Sequence, residues 1–193
     1  LIDNYTSLLS YKPLPSLDQS NLKYGYFGRV DRKKNIQFLF PILSAIDVKT
    51  FTIWGSFTDG YYFEELISKA EDSNITIDYR GAYSQENFGE ISASIDVFLM
   101  PTLAENFGYN ILEARVMGME VCISEKTTPW DCEFDQLYNC EHVQFLKLDE
   151  EIWISKLPRK RSCSIICNDA HLVEKLSADR KNQLNQFLES IQE

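Results

Sequence analysis

Short apolar runs alternate along this chain with segments whose apolar residues recur every three or four positions, and the alternation predicts strand followed by helix several times over. After a proline-punctuated lead-in, YKPLPSLDQSN (Tyr11 to Asn21), the segment KYGYFGRV (23–30) reads as a strand. NIQFLFPILSAI, from Asn35 to Ile46, spaces its apolar residues as a helix, although Pro41 lies inside the pattern and works against it. A buried strand, TFTIWG (Thr50 to Gly55), carries Phe51 and Trp54 as core residues, with bordering the site as the alternative for Trp54, which precedes Gly55 at the strand end; the loop SFTDG and a helix from about Tyr61 to Glu71 follow, with Phe63, Leu66 and Ile67 on the buried side. The unit repeats as strand ITIDYRG (75–81), short helix SQENFGEISAS (84–94) and strand IDVFLM (95–100), then as a helix over 109–117 and strand MEVCIS (119–124). Beyond these, CEHVQFLKL (140–148) is expected as a strand, DEEIWISKL (149–157) as a short helix and HLVEKLSADRKNQLNQFLESI (171–191) as one or two closing helices.

Strands separated by helical segments of about ten residues need crossover connections, which are right-handed and build a parallel sheet covered on both faces. The expected fold class is α/β: a doubly wound, Rossmann-like parallel sheet. Residues 1–21 read as a lead-in or linker from a preceding domain and 22–193 as one domain, since 193 residues at 44% hydrophobic suffice for one sizeable core. The chain begins at Leu1 rather than Met, which suggests a piece excised from a longer protein. A formal charge of −10 argues against nucleic acid and anionic lipid as broad electrostatic partners. The five cysteines (Cys122, Cys132, Cys140, Cys163, Cys167) are odd in number and fit no zinc spacing, which predicts reduced thiols in a cytoplasmic compartment, with no disulfide and no metal. No apolar run approaches the roughly 20 residues that a bilayer span needs, and LIDNYTSLL lacks a basic n-region.

Candidate chemistry collects at the expected C-terminal ends of the strands, where open α/β sheets bind nucleotides. The stretch ENFGYNILEA puts Glu105 in the loop after VFLM-Pro101 and Glu113, eight positions on, in the second turn of the next helix, so both carboxylates can face one ligand. Gly108, before the helix start near Tyr109, permits close backbone approach, and a helix N-terminus favours a phosphate. Gly28-Arg29 ends the first strand and Lys33-Lys34 precedes the next helix, so Arg29 and Lys34 form a plausible diphosphate clamp; the plain alternative is a solvated basic turn. Paired carboxylates also suit glycoside hydrolysis, but a cationic clamp has no use there. His142 and His171 stand apart without carboxylate neighbours and read as structural; Trp130, beside Pro129, caps a loop or touches ligand.

These residues resemble, from about Tyr26 to Asp135, the C-terminal, donor-binding half of the retaining glycosyltransferases of family 4, which have the two-domain GT-B fold. GRVDRKKN resembles the family's Gly-Arg at the first strand end with Lys five residues after the Arg; IDYRGAYSQENFGEISASIDVFLMPTLAENFG resembles its strand, Gly turn, short helix and strand; Glu105-x7-Glu113 resembles its paired-glutamate motif. The run Thr127 to Asp131 resembles a subgroup with Asn after the first Glu and Thr-Pro-Trp downstream. The resemblance implies that Arg29 and Lys34 hold a donor's diphosphate, Glu105 contacts the donor sugar and Glu113 the ribose. It also implies that the backbone at Arg80, Gly81 and Ala82 borders the nucleobase with Tyr83 nearby, and that Gly28, Gly55, Asn106, Phe107, Gly108 and Tyr109 complete the donor site. Two positions depart from the pattern: Asn35 stands where the family usually has Gly, and Tyr109 where relatives often have His or Leu.

The implied activity is sugar transfer from a UDP- or GDP-sugar to a glycan or lipid-linked acceptor, with retention at the anomeric carbon and with neither cofactor nor metal. It would serve surface polysaccharide synthesis in the cytoplasm. The acceptor side would belong to an N-terminal domain that also makes any peripheral contact with the inner face of a membrane, and this chain alone would bind donor without turnover. The alternative is a Rossmann-like nucleotide-binding or interaction module without catalysis. Base, sugar, acceptor and oligomeric state leave no readable signature.

Overall fold

The computed structural model describes residues 22–106, 108–127 and 143–160. The lead-in over 1–21, the closing segment over 171–191, His142, His171, Trp130 and four of the five cysteines lie outside the described residues. Six strands, β1 (Tyr24–Phe27), β2 (Thr50–Trp54), β3 (Thr76–Tyr79), β4 (Val97–Met100), β5 (Glu120–Ser124) and β6 (Val143–Leu146), form one parallel sheet in the order β3-β2-β1-β4-β5-β6. The helices are α1 (Leu39–Ala45), α2 (Gly60–Asp72), α3 (Phe88–Ser94), α4 (Tyr109–Val116) and α5 (Glu150–Lys156). β1, β4 and β5 are buried at every position, as strands covered on both faces must be. The strand order reverses between β1 and β4, which opens a crevice at their C-terminal ends.

The helix expected over 35–46 is divided. Asn35 takes the left-handed conformation (φ 53°, ψ 34°) between two short 3-10 turns, Arg32–Lys34 and Ile36–Phe38, and α1 begins only at Leu39. Asn tolerates this conformation better than other non-glycine residues, so Asn35 holds it at modest cost. Pro41 thereby falls in the first turn of α1, where its missing N–H would have had no helical partner. α2 starts where Asp59 accepts a hydrogen bond from the Tyr62 N–H, and its buried face is Tyr62, Leu66 and Ala70. Of the expected Phe63, Leu66 and Ile67, only Leu66 is wholly buried and Ile67 is exposed, because the sheet meets the helix one residue earlier in each turn. Phe51 and Trp54 are core as expected; the Trp54 indole N–H donates to Ser94 Oγ at 3.0 Å. Phe27 meets Phe98 at 4.7 Å between ring centroids, and Phe51 meets Phe40 at 6.4 Å. Burial pushes the Cys122 thiol well above its ordinary range, which keeps it protonated and inert.

The ends of β1 and β2 are zipped together: the Gly28 N–H donates to the Trp54 carbonyl and the Val30 N–H to the Ser56 carbonyl, both at 2.9 Å. Gly55 makes this possible, since a Cβ there would lie 1.8 Å from the Gly28 carbonyl oxygen. Gly55→Ala is therefore predicted to lower the unfolding free energy by about 3 kcal/mol. Urea denaturation checks it, and an unchanged midpoint would show that the two strand ends can part freely.

Candidate functional site

Three loops meet at the crevice. In the first, Asp31 caps the turn Arg32–Lys34 by accepting from the Lys33 N–H at 3.0 Å, and Asn35 closes that turn; Lys34 is thus held in a buried position. The second, after β4, is stitched to the first: the Lys33 carbonyl accepts from the Leu103 N–H at 2.7 Å, and the Thr102 hydroxyl lies 3.1 Å from it and 2.9 Å from the Ala104 carbonyl. The third, after β5, supports the second, because Ser124 Oγ donates to the Thr102 carbonyl and the Thr127 carbonyl accepts from the Glu105 N–H at 2.8 Å. Thr102 and Ser124 are wholly buried, so the bond from Ser124 to the Thr102 carbonyl forms away from competing water.

The crevice is a cavity of about 310 Å³, lined by Tyr26, Gly28, Arg29, Lys34, Tyr83, Glu105, Asn106, Gly108, Tyr109, Asn110 and Glu113. Nine of these are sequence-predicted site residues, and the structure brings them together. Phe107 lies outside the described residues. Gly55, Arg80, Gly81 and Ala82 do not line the cavity: the Gly55 N–H donates to the Gly81 carbonyl at 2.7 Å, the Arg80 N–H to the Ile53 carbonyl at 2.9 Å, and the Arg80 guanidinium pairs with Asp78 at 2.8 Å. From that loop it is Tyr83 that reaches the cavity, its ring set edge-on to Phe27 at 5.4 Å.

Tyr26 and Asn110 line the cavity although sequence reasoning passed over them. The Tyr26 hydroxyl donates to the Arg29 carbonyl at 2.9 Å and Asn110 Nδ2 to the Phe27 carbonyl at 3.0 Å, so the carbonyls on either side of Gly28 are both engaged. Burial pushes the Tyr26 phenol well above its usual range, and the neighbouring Tyr83, Asp31 and Glu105 push it the same way, so it stays a donor. Asn110 left no signal in the sequence; its role follows from burial. Every residue from Asn110 to Val116 is buried, so a polar side chain in that short run needs an internal partner. Tyr26, alternating with apolar neighbours in a buried strand, left no signal either.

Electrostatically the site is a set of pairs. Lys34 Nζ is hydrogen-bonded to Glu105 Oε2, and their side chains are 9% and 16% exposed. Arg29 pairs with Asp31 at 2.8 Å, but its side chain is 66% exposed, a setting in which an ion pair contributes little. Glu113 is buried on α4, and Gly108, whose left-handed conformation (φ 68°) starts that helix with no side-chain cap, lines the same cavity. The helix end that favours negative charge therefore borders the same space as Lys34.

A larger cavity, about 860 Å³, lies on the sheet face that carries the alternate residues Thr50, Thr52, Asp78 and Arg80. Two of its cations are paired, Lys49 with Asp47 at 2.7 Å and Arg80 with Asp78 at 2.8 Å, while Lys23 Nζ donates to the Ala93 carbonyl and Arg159 to the Ile154 carbonyl. It does not adjoin the strand ends where the convergent groups sit. Among the described residues no helix is long and apolar enough to cross a membrane.

A sequence profile of the family described as glycosyl transferases group 1 matches residues 21–130. No curated protein sequence matches the chain. Among solved structures, it is similar to Anabaena Alr3699/HepE in complex with UDP and glucose (TM-score 0.64, 16% identity, 89% of this chain and 49% of that one). It is also similar to the C-terminal domain of a glycosyl transferase group 1 family protein, LpcC, from Francisella tularensis (0.55, 17%, 86% and 90%) and to the pneumococcal O-GlcNAc transferase GtfA in complex with UDP and GlcNAc (0.52, 16%, 88% and 31%). The chain thus spans about half the length of the Anabaena protein. At these identities the likeness is one of fold: the doubly wound, Rossmann-like half of a GT-B glycosyltransferase.

The stitch between the first two loops is testable without any ligand. Thr102→Val should cost about 1 kcal/mol of stability by removing the hydroxyl's hydrogen bond to the loop carbonyls, and Thr102→Ser should restore most of it. Equal urea midpoints for all three proteins would mean that the hydroxyl holds nothing.

Proposed function

The chain belongs to the group 1 glycosyltransferases, and from that premise we propose that it is the donor-binding half of a retaining enzyme that transfers a sugar from a nucleoside-diphosphate sugar to a glycan or lipid-linked acceptor. One observation carries the reading: Arg29, Lys34, Glu105, Glu113 and the start of α4 all border a single crevice at the switch point of the sheet. A diphosphate suits the two cations and the helix N-terminus, and hydroxyl-bearing sugar and ribose suit the two carboxylates. That UDP accompanies the Anabaena and pneumococcal structures supports a uridine nucleotide as the first donor to try.

In this mechanism Glu113 takes the ribose hydroxyls and Glu105 the sugar, fixing the anomeric carbon against the acceptor. As the glycosidic bond breaks, negative charge grows on the leaving diphosphate, and Arg29, Lys34 and the helix start stabilise it without a resident metal or cofactor. Tyr26 and Asn110 keep the carbonyls of Arg29 and Phe27 occupied, which limits their repulsion of the phosphates. The acceptor falls to an N-terminal half, in keeping with the chain's span of about half the Anabaena protein, so this piece alone binds and does not turn over. The reading places the enzyme in the cytoplasm, with any contact to the inner membrane face made by that N-terminal half, and in surface polysaccharide synthesis.

Calorimetric titration of the full-length protein with UDP, GDP and ADP tests the proposal. Saturable binding of one nucleotide is expected, weakened in both Lys34→Ala and Glu113→Ala. In turnover assays Lys34→Ala should raise the barrier by about 2.7–4 kcal/mol, as loss of a preorganised charge partner does. Binding of none of the three at millimolar concentration, or an unchanged rate in Lys34→Ala, would overturn the assignment.

A further inference from the structure

The ammonium that a diphosphate needs is already engaged. Lys34 and Glu105 form an ion pair largely out of water, and the second carboxylate oxygen, Oε1, accepts from the Asn106 N–H at 3.0 Å. A carboxylate so placed depends on its partners, because a buried charge left unpaired is costly. Arg29 differs, since its partner Asp31 sits in an exposed pair that solvent can replace.

Resting on the donor-site reading above, we infer that Glu105 is a specificity-determining group that holds down the affinity for the spent nucleoside diphosphate by competing with it for Lys34. A phosphate that approaches Lys34 Nζ also approaches the Glu105 carboxylate, and like charges at that range repel strongly where water is scarce. When the nucleotide still carries a sugar, the sugar's hydroxyls donate to Glu105 and replace the ammonium as its partner. When the sugar has gone, the carboxylate has no such donor and reclaims Lys34. The pair therefore favours entry of loaded donor and exit of product, and Glu105 acts in both halves of the cycle. The stitch through Thr102 and Leu103 to the Lys33 carbonyl keeps the two side chains in register for this exchange.

The test is a double-mutant cycle read by calorimetry on the full-length protein, with UDP, GDP and ADP as probes. Glu105→Gln, which removes charge and keeps shape, should bind the preferred nucleoside diphosphate about tenfold more tightly than wild type. Glu105→Ala should tighten it in the same direction, which guards against a new contact made by the amide. In a Lys34→Met background the Gln substitution should give no tightening. Unchanged or weaker nucleotide binding in Glu105→Gln and Glu105→Ala, with wild type binding normally, would overturn the inference and leave the donor site standing. Tightening that persists in the Lys34→Met background would also overturn it, since the competition would not be for Lys34. If no nucleotide binds wild type or either Glu105 variant, the donor-site reading itself fails and takes the inference with it.

Discussion

The pairing of β1 with β4 is the constraint on which the site depends. Their register, Tyr24 opposite Val97, sets two loops side by side that are far apart along the chain. Lys34 and Glu105, separated by 71 residues in sequence, meet because the chain crosses from one half of the sheet to the other at this point. A parallel sheet sends both strands out of the same edge, so each contributes its following loop to a common crevice. Without β4 on that side of β1, Lys34 would be a basic residue in a surface turn.

The crevice is built mainly from backbone held still by buried polar side chains. Thr102, Ser124, Asn110 and Tyr26 each give a hydrogen bond to a main-chain carbonyl, and none carries charge at neutral pH. Such bonds are modest singly, yet a buried carbonyl that loses its donor bears the desolvation cost, so the set resists loosening. The charged groups are arranged on this frame in pairs whose strength follows their burial. The exposed Arg29–Asp31 pair yields readily to a ligand, whereas the enclosed Lys34–Glu105 pair has to be exchanged partner for partner. One positive loop thus contains a weakly held and a tightly held cation, a few residues apart.

Much of this was legible in the sequence. Apolar periodicity marked each of the six strands, and the spacing of Glu105 and Glu113 placed two carboxylates by one helix start. Where the reading missed, the reason is local. The segment from Asn35 became two tight turns before a helix because Asn35 occupies a left-handed position, which sequence periodicity does not reveal. α2 turns Tyr62, Leu66 and Ala70 to the core, with Phe63 partly buried against it and Ile67 exposed, a rotation that the apolar count alone leaves ambiguous in a helix bearing aromatic residues on two sides. The expectation at Arg80 concerned its backbone; its side chain turns toward Asp78 and the other cavity, since alternate residues of a strand share a face.

The sequence by itself determined the parallel α/β architecture and the identity of the charged groups, because strand and helix periods and motif spacings are short-range properties of the chain. Only the tertiary structure decided that Lys34 is paired with Glu105, that Tyr26 and Asn110 belong to the site, and which residues of the β3 loop reach it. Those outcomes depend on strand order and on which side chains are shut away from water, and both are settled only when segments distant in sequence pack together.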